Sequence, residues 1–260
     1  PCLKSAVIAS YLCVIIIDLL SYFLPINGQN LVTNASYYPN YFTPSKYTFL
    51  VWILIYLLLA LFTFYQYRTP HNSLISNKTL SFVRISMIAY SVVNIIWILS
   101  WLFDYFALST MAILVAAILL SITCRNLYKA DLSLMDTIFV RVPLGVLYAW
   151  ICITTVINLI VLMYSIQWKI FGLSHEIWAP LIFISLAIFA ISQVILNKDL
   201  AFCITFIWGY IGILVKHLTN ESLDRPYPYA VAVLIACIIL LIGSALYLIF
   251  VDKIVHKRWY

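Results

Sequence analysis

Eight long apolar runs constrain this chain more than any other feature of its sequence. A helix needs about 20 mainly apolar residues to cross the hydrocarbon core of a bilayer, whereas a membrane β-strand is about half as long and alternates in polarity. Because the runs are continuous, they predict transmembrane α-helices. The predicted spans are about 5–26, 47–68, 81–102, 105–124, 138–166, 177–197, 200–218 and 229–251.

The composition indicates that lipid is the solvent for much of this chain. Of its 260 residues, 65% are hydrophobic and 9% are charged. A soluble domain is typically about 25% charged. A soluble fold of this size could not bury so much apolar surface, so we predict an all-α integral membrane protein with eight spans. The first run follows Lys4 but lacks a small-residue cleavage end, so we expect a retained helix rather than a signal peptide.

Lysine and arginine are distributed unevenly between the two sides of this topology, with eleven on one side and four on the other. Cytoplasmic loops carry an excess of these residues, so we predict that both termini are cytoplasmic. The expected host is the cell membrane. The eleven are Lys4, Arg68, Lys78, Arg84, Arg125, Lys129, Arg141, Lys198, Lys253, Lys257 and Arg258, and the four are Lys46, Lys169, Lys216 and Arg225.

Sequence signatures of enzymes, metal sites and nucleic-acid-binding proteins are absent. The four histidines lie in or near different loops without metal-ligand spacing, and the six glycines form no phosphate-binding loop. No two of the nine acidic residues form an evident inward pair. The net charge of +6 is explained by cytoplasmic loops, since no basic cluster is interleaved with aromatic residues. We therefore expect no catalytic residues, no cofactor, no metal and no nucleic-acid partner.

Asp18 places a carboxyl group in the outer half of the first predicted helix. An unpaired charge at membrane depth costs about 2.5–3.5 kcal/mol on insertion scales. Asp18 should therefore be protonated, face a wet cavity or contact a partner. The alternative is that it lies near the outer interface and is solvated. If Asp18 faces a cavity or contacts a partner rather than the outer interface, it is a further candidate site residue.

Tryptophan, tyrosine and amide side chains share one face on each of three predicted helices, because they recur at spacings of three, four, seven or eight residues. Mid-span tryptophan is not explained by the interfacial aromatic belt. Aromatic walls with a few polar groups suit an apolar ligand pocket, whereas packing between helices through interhelical amide bonds is the competing interpretation. The candidates are Trp52 and Tyr56, then Asn94, Trp97 and Trp101, then Trp150, Thr154 and Asn158.

Three motifs follow one another along the chain: a proline with tryptophan eight residues later and tyrosine four after that, an N-x-x-W motif, and a tryptophan with asparagine eight residues later. They are formed by Pro44, Trp52 and Tyr56, by Asn94 and Trp97, and by Trp150 and Asn158. In this order and on these helices, they resemble the tryptophan-rich sensory protein family, also called the translocator protein or peripheral benzodiazepine receptor family. Pro44 is a candidate site residue through this resemblance.

The resemblance covers roughly residues 5–168 and implies a five-helix bundle with a pocket under the first outward loop, residues 27–46. This loop is either a lid or an ordinary connection. We predict a translocator-protein-like core at 1–168 and three additional transmembrane helices at 169–260, so the chain is an elongated relative. Members of the family bind porphyrins and other apolar molecules, are linked to tetrapyrrole or lipid handling, and in several cases form homodimers.

Two functions remain open at this point. The favoured one is a receptor-like sensory protein that binds a flat apolar or amphipathic small molecule, such as a tetrapyrrole, a sterol or a lipid-like compound, in an intramembrane aromatic pocket. The alternative is a secondary transporter or permease for a small hydrophobic metabolite. Transporters often show inverted repeats and broken helices. The sequence shows no evident repeat between its halves, and Pro143 with Gly145 is its one obvious mid-chain break.

Overall fold

Long α-helices make up most of the computed structural model, which describes residues 2–24, 41–68, 73–168, 175–219 and 228–256. No strand occurs in these ranges. Within these ranges, eight helices are long and apolar enough to cross a membrane, which confirms the predicted all-α fold with eight spans. They are α1 (Cys2–Phe23), α2 (Val51–Tyr67), α3 (Asn77–Leu102), α4 (Phe106–Tyr128), α5 (Val142–Ser165), α6 (His175–Asn197), α7 (Leu200–Thr219) and α8 (Pro228–His256).

The helix ends follow local capping chemistry. Helix α3 begins at Asn77, earlier than the predicted residue 81, because the Ser76 hydroxyl accepts a hydrogen bond from the Thr79 N–H at 3.1 Å. A short helix, Leu134–Asp136, and a π-helical turn, Thr137–Arg141, lead into α5. Pro143 lies in the first turn of α5, so the break predicted there is local and the helical structure continues to Ser165.

The tight connection between α3 and α4 is closed by a helix-terminating motif. Asp104 has φ of 60°, a left-handed conformation that aspartate tolerates better than most residues. The Tyr105 N–H donates to the Ser100 carbonyl at 2.8 Å, and the Asp104 N–H donates to the Trp101 carbonyl at 3.3 Å. These two bonds are those of a Schellman motif. The predicted short turn is therefore confirmed, and it sets α3 and α4 side by side.

The described residues form two compact units. The first contains residues 2–24 and 49–166, in which the helices pack in the cyclic order α1, α3, α4, α5 and α2. In the second unit, α6, α7 and α8 pack against one another and the segment 41–48 joins them. The predicted architecture of five helices plus three is confirmed. The predicted domain boundary at residue 168 stays a prediction, and the structure adds that segment 41–48 groups with the last three helices.

Many large apolar side chains lie on the outer surface of the helices. A water-soluble monomer rarely exposes large contiguous apolar patches, whereas lipid-facing helices must expose apolar residues. The surface thus agrees with the spans. Examples are Leu57, Phe64, Ile85, Met111 and Ile188, each more than half exposed.

A buried carboxylate joins three connections of the first unit. Asp136 accepts hydrogen bonds from the hydroxyl groups of Tyr65, at 2.8 Å, and Ser73, at 2.6 Å, through Oδ1. Its Oδ2 accepts from the backbone N–H groups of residues 74–75 at 2.9 and 3.3 Å. The same oxygen accepts from the backbone N–H and the hydroxyl of Ser133, at 3.0 and 2.8 Å. Asp136 thus ties the end of α2 to the segments that precede α3 and α5.

The segment 41–48 is held on α7 by backbone contacts. The Ser45 N–H donates to the carbonyl of Gly212 at 3.0 Å, and the indole N–H of Trp208 donates to the carbonyl of Thr48 at 3.0 Å. Because Gly212 has no side chain, the backbones approach closely at this point.

Candidate functional site

An aromatic cavity lies between α1, α2 and α3 of the first unit. Its volume is about 230 Å³. Helix α1 contributes the carboxyl group of Asp18, which is 7% exposed, and α2 and α3 contribute aromatic rings. The lining residues are Asp18, Leu19, Ser21, Phe49, Leu50, Trp52, Ile53, Tyr56, Trp97 and Ile98.

The aromatic wall of the cavity is centred on Trp52. Its ring stacks on Tyr56, with the centroids 5.7 Å apart, and on Trp97, at 6.2 Å. Trp150 of α5 meets Trp52 edge-on at 6.4 Å and Phe49 edge-on at 5.9 Å. The three predicted aromatic stripes therefore meet at Trp52. The indole N–H of Trp150 is buried and has no hydrogen-bond partner among the described residues.

The carboxyl group of Asp18 is held by side chains of α2 and α3. The Tyr56 hydroxyl donates to Asp18 Oδ2, and the Asn94 amide donates to Oδ1 at 3.4 Å. The Tyr90 hydroxyl in turn donates to Asn94 Oδ1 at 3.2 Å. Asn94 therefore positions Asp18 at the cavity.

Asn158 positions a residue of the aromatic wall in a similar way. Its Oδ1 accepts from the indole N–H of Trp97 at 3.0 Å and from the Ser109 hydroxyl at 2.8 Å, and its Nδ2 donates to the Thr154 carbonyl at 2.9 Å. Asn158 thus joins α3, α4 and α5. The pocket interpretation and the helix-packing interpretation are compatible for both amides. Asn94 and Asn158 each make interhelical hydrogen bonds to a residue of the cavity wall.

The chain matches the family model described as TSPO-like protein over residues 4–247. It belongs to this family. The suspected relationship is therefore confirmed, and the match extends beyond residues 5–168 through α6, α7 and most of α8. Searches of curated proteins and of solved structures find no match.

As a TSPO-like protein with eight apolar spans, the chain is an integral membrane protein in contact with the lipid bilayer. The homodimer and the ligand classes implied by the resemblance stay predictions. It also stays a prediction that all the aromatic and amide candidates form one ligand site.

Three further candidate site residues of this TSPO-like chain lie outside the lining of the aromatic cavity. Trp101 packs edge-on against Phe106, with the ring centroids 5.5 Å apart. The Thr154 hydroxyl donates to the carbonyl of Trp150 in its own helix at 2.8 Å. Pro44 is buried within the second unit. Of the predicted lid, residues 27–40 lie outside the described residues, so its role stays a prediction.

The rim of the cavity is apolar and exposed. Leu19, Leu50 and Ile53 are 45%, 55% and 58% exposed. Leu19 lies on α1 beside Asp18, Ile53 lies on α2, and Leu50 lies in the turn that leads into α2. On a membrane-spanning helix, exposed apolar residues of this kind are typical of a lipid-facing surface.

The lining also contains residues that the motifs did not identify. Phe49 and Ile53 lie three residues before and one residue after Trp52, and Phe49 shares the face of Trp52 and Tyr56 at spacings of three and seven. Helical periodicity could therefore have found Phe49. Ser21 and Ile98 carry no such signal, because their place in the lining depends on how α1 and α3 are rotated.

Another depression lies at the turn between α3 and α4 and the end of α5. Its volume is about 510 Å³, and its lining includes Asp104, Tyr105, Leu162 and Ile166. It is open and shallow, and its wall lacks the stacked rings and the nearly buried carboxyl group of the aromatic cavity. Enclosed pockets with a few fixed polar groups are the usual ligand sites, so the aromatic cavity is the candidate functional site.

Proposed function

We propose that this protein is a receptor-like membrane protein that binds a flat, apolar or amphipathic small molecule in the aromatic cavity. The observation that carries the proposal is the wall formed by the stacked rings of Trp52, Tyr56 and Trp97 beside the buried carboxyl group of Asp18. Stacked rings suit the faces of a flat ligand, and a few fixed polar groups orient it. The exposed apolar rim supports entry from the bilayer, where apolar ligands concentrate.

The size of the cavity ranks the ligand classes. Its volume is about 230 Å³. Pockets for drug-sized ligands are about 300–1,000 Å³. Among the predicted classes, a tetrapyrrole therefore requires the greatest expansion of the cavity. A compact ring system, or the ring-bearing end of a lipid-like molecule, requires the least.

Binding without chemical conversion is part of the proposal. Among the described lining residues, Asp18 is the one carboxyl group, and no cysteine, lysine or histidine accompanies it. Nucleophilic catalysis needs an activated nucleophile with a base or another activating group beside it. The proposed role therefore involves binding and no nucleophilic catalysis.

Transport of a small hydrophobic metabolite is the alternative. Transporters commonly build their sites on helices that are broken near the middle of the bilayer. In the described ranges, the irregular turn before Pro143 lies near the start of the fifth span, and the cavity wall is built mainly on regular helices. These features support binding rather than transport.

A ligand screen on the purified protein in lipid nanodiscs tests the proposal. Porphyrins, haem, sterols and quinones are titrated while tryptophan fluorescence and the thermal unfolding midpoint are measured. We expect at least one flat apolar class to quench the fluorescence saturably and to raise the midpoint. Failure of every class to bind would contradict the proposal.

Trp52→Phe is expected to weaken binding of the ligand found in that screen by several-fold to about tenfold, because the loss of one stacked indole removes about 0.5–1.5 kcal/mol. Phenylalanine keeps an apolar ring at this half-buried position, so the unfolding midpoint without ligand should change little. The matched control is Trp208→Phe in the second unit, which should bind like the parent. Equal losses in both variants would place the ligand elsewhere.

Both termini are proposed to be cytoplasmic in the cell membrane, on the basis of the eleven-to-four distribution of lysine and arginine. Reporter domains that are active on only one side of the membrane, fused in turn to each end, should both report the cytoplasm. A fusion in the 103–105 turn should report the opposite side. Ends on opposite sides would mean an odd number of spans and would overturn this topology.

A further inference from the structure

Among the described residues that line the aromatic cavity, Asp18 has the one carboxyl group, and no cationic side chain accompanies it there. It is 7% exposed. A carboxylate can accept about four hydrogen bonds. Asp18 receives one from the Tyr56 hydroxyl and one, at 3.4 Å, from the Asn94 amide. No described lysine, arginine or histidine forms an ion pair with it, so acceptor capacity remains on the side of the cavity.

The neighbours of Asp18 are oriented as donors. Asn94 could present either its oxygen or its NH₂ group to the carboxyl group, since the two ends of an amide are similar in shape. In the structure its NH₂ group faces Asp18, and its Oδ1 lies 3.2 Å from the Tyr90 hydroxyl. The Tyr56 hydroxyl also donates to Asp18. Donors to both oxygens match the hydrogen-bonding capacity of a carboxylate.

An anion at membrane depth is costly unless an opposite charge or water compensates it. The first unit places three aromatic rings, those of Trp52, Tyr56 and Trp97, in the same cavity wall. The faces of such rings attract cations, and aromatic cages are the usual binding sites for quaternary ammonium groups. The carboxyl group and the rings therefore favour the same kind of ligand head group.

We propose that the ligand of the aromatic cavity is an amphipathic cation, in which a flat apolar body lies along the rings and an ammonium or related group pairs with Asp18. This inference rests on the proposed function and specifies its ligand class. The protein carries a formal net charge of +6, so its overall field repels cations. A preference for a cation must therefore arise at a local site.

The test compares probes that have the same shape and different charge. A naphthalene ring bearing a trimethylammonium group is the cationic probe, the same ring bearing a tert-butyl group is the neutral probe, and a carboxylate derivative is the anionic probe. Binding to the protein in zwitterionic nanodiscs is followed by tryptophan quenching. Partition into empty nanodiscs is measured for each probe, so that affinities refer to its concentration in the membrane.

We expect the parent protein to bind the cationic probe about tenfold or more tightly than the neutral probe, and the anionic probe most weakly. Asp18→Asn should abolish the preference for the cation while it retains binding of the neutral probe. The matched control is Asp131→Asn, at an exposed aspartate outside the cavity, which should keep the preference.

Equal affinities of the parent for the cationic and neutral probes, or a preference that survives in Asp18→Asn, would overturn the inference. If Asp18→Asn does not fold, the order of the three probes on the parent decides the question. Binding of neutral ligands without a preference for the cation would leave the proposed function in place. Failure of all probes and all screened ligands to bind would reject both.

Discussion

Asp136→Ala is expected to lower the free energy of unfolding by about 3–5 kcal/mol, because a hydrogen bond to a charged group contributes about 1.5–3 kcal/mol and several such bonds are lost together. The substitution leaves the hydroxyl groups of Tyr65 and Ser73 and the N–H groups of residues 74–75 without their acceptor. It also disrupts the capping box, in which the Asp136 carboxylate accepts from the Ser133 N–H and the Ser133 hydroxyl accepts from the Asp136 N–H. Reversible unfolding in mild detergent, followed by tryptophan fluorescence, measures the change.

Asp136→Asn should have a smaller effect than Asp136→Ala. An asparagine oxygen can still accept from the backbone N–H groups that contact Oδ2, while its NH₂ group faces hydroxyls that can rotate. The loss of the charge weakens each remaining bond. Asp131→Ala is the control, because this exposed aspartate lies five residues earlier and should change the free energy by no more than about 0.5 kcal/mol. Parent-like stability of Asp136→Ala would show that the network contributes little.

Gly212→Ala is expected to destabilise the second unit by about 1–3 kcal/mol, the usual cost of forcing an extra methyl group into a packed site. A Cβ at this position would lie 2.0 Å from Thr48 Oγ1 and 2.7 Å from Thr48 Cβ. Rotation of the threonine side chain cannot relieve the second contact, so the backbones of α7 and segment 41–48 must separate. The separation would weaken the hydrogen bond between Ser45 and Gly212, which is 3.0 Å long.

Gly243→Ala provides the matched control, because apart from its chain neighbours and the adjacent backbone of its own helix, no atom lies within 4 Å of a Cβ built at Gly243 in α8. Alanine is favoured over glycine within a helix by about 0.5–1 kcal/mol, so this variant should be more stable than the parent. Opposite signs for the same substitution would isolate the contact with Thr48. In the double variant Gly212→Ala and Thr48→Gly, the effect of alanine at 212 should largely disappear. Independent effects of the two changes would contradict the proposed contact.

The helices and their turns could be predicted because their causes are local. The length of an apolar run determines whether a helix can cross a bilayer, and all eight runs correspond to helices. The turn at Asp104 depends on residues within five positions of it. In the same way, the spacing of Trp52 and Tyr56 in α2 is enough to place them on one face, where their rings stack.

The contacts that complete the candidate site could not be predicted, because they depend on how each helix is rotated against its neighbours. Asp18 and Asn94 are 76 residues apart, and Trp97 and Asn158 are 61 apart. The spacing along a helix defines a face but not the helix toward which that face turns. For the same reason, the sequence did not predict the contacts of Asp136 with Tyr65 and Ser73, which are 71 and 63 residues away.

By itself, the sequence determined that this protein has eight apolar helices able to span a membrane, and which side chains share a face of each helix, since apolar length and helical periodicity are properties of neighbouring residues. Only the tertiary structure decided that α1 brings Asp18 to the aromatic faces of α2 and α3, and that segment 41–48 packs on α7. These pairings arise from close packing between distant segments, where the shape of side chains, and at Gly212 the absence of one, selects the partner.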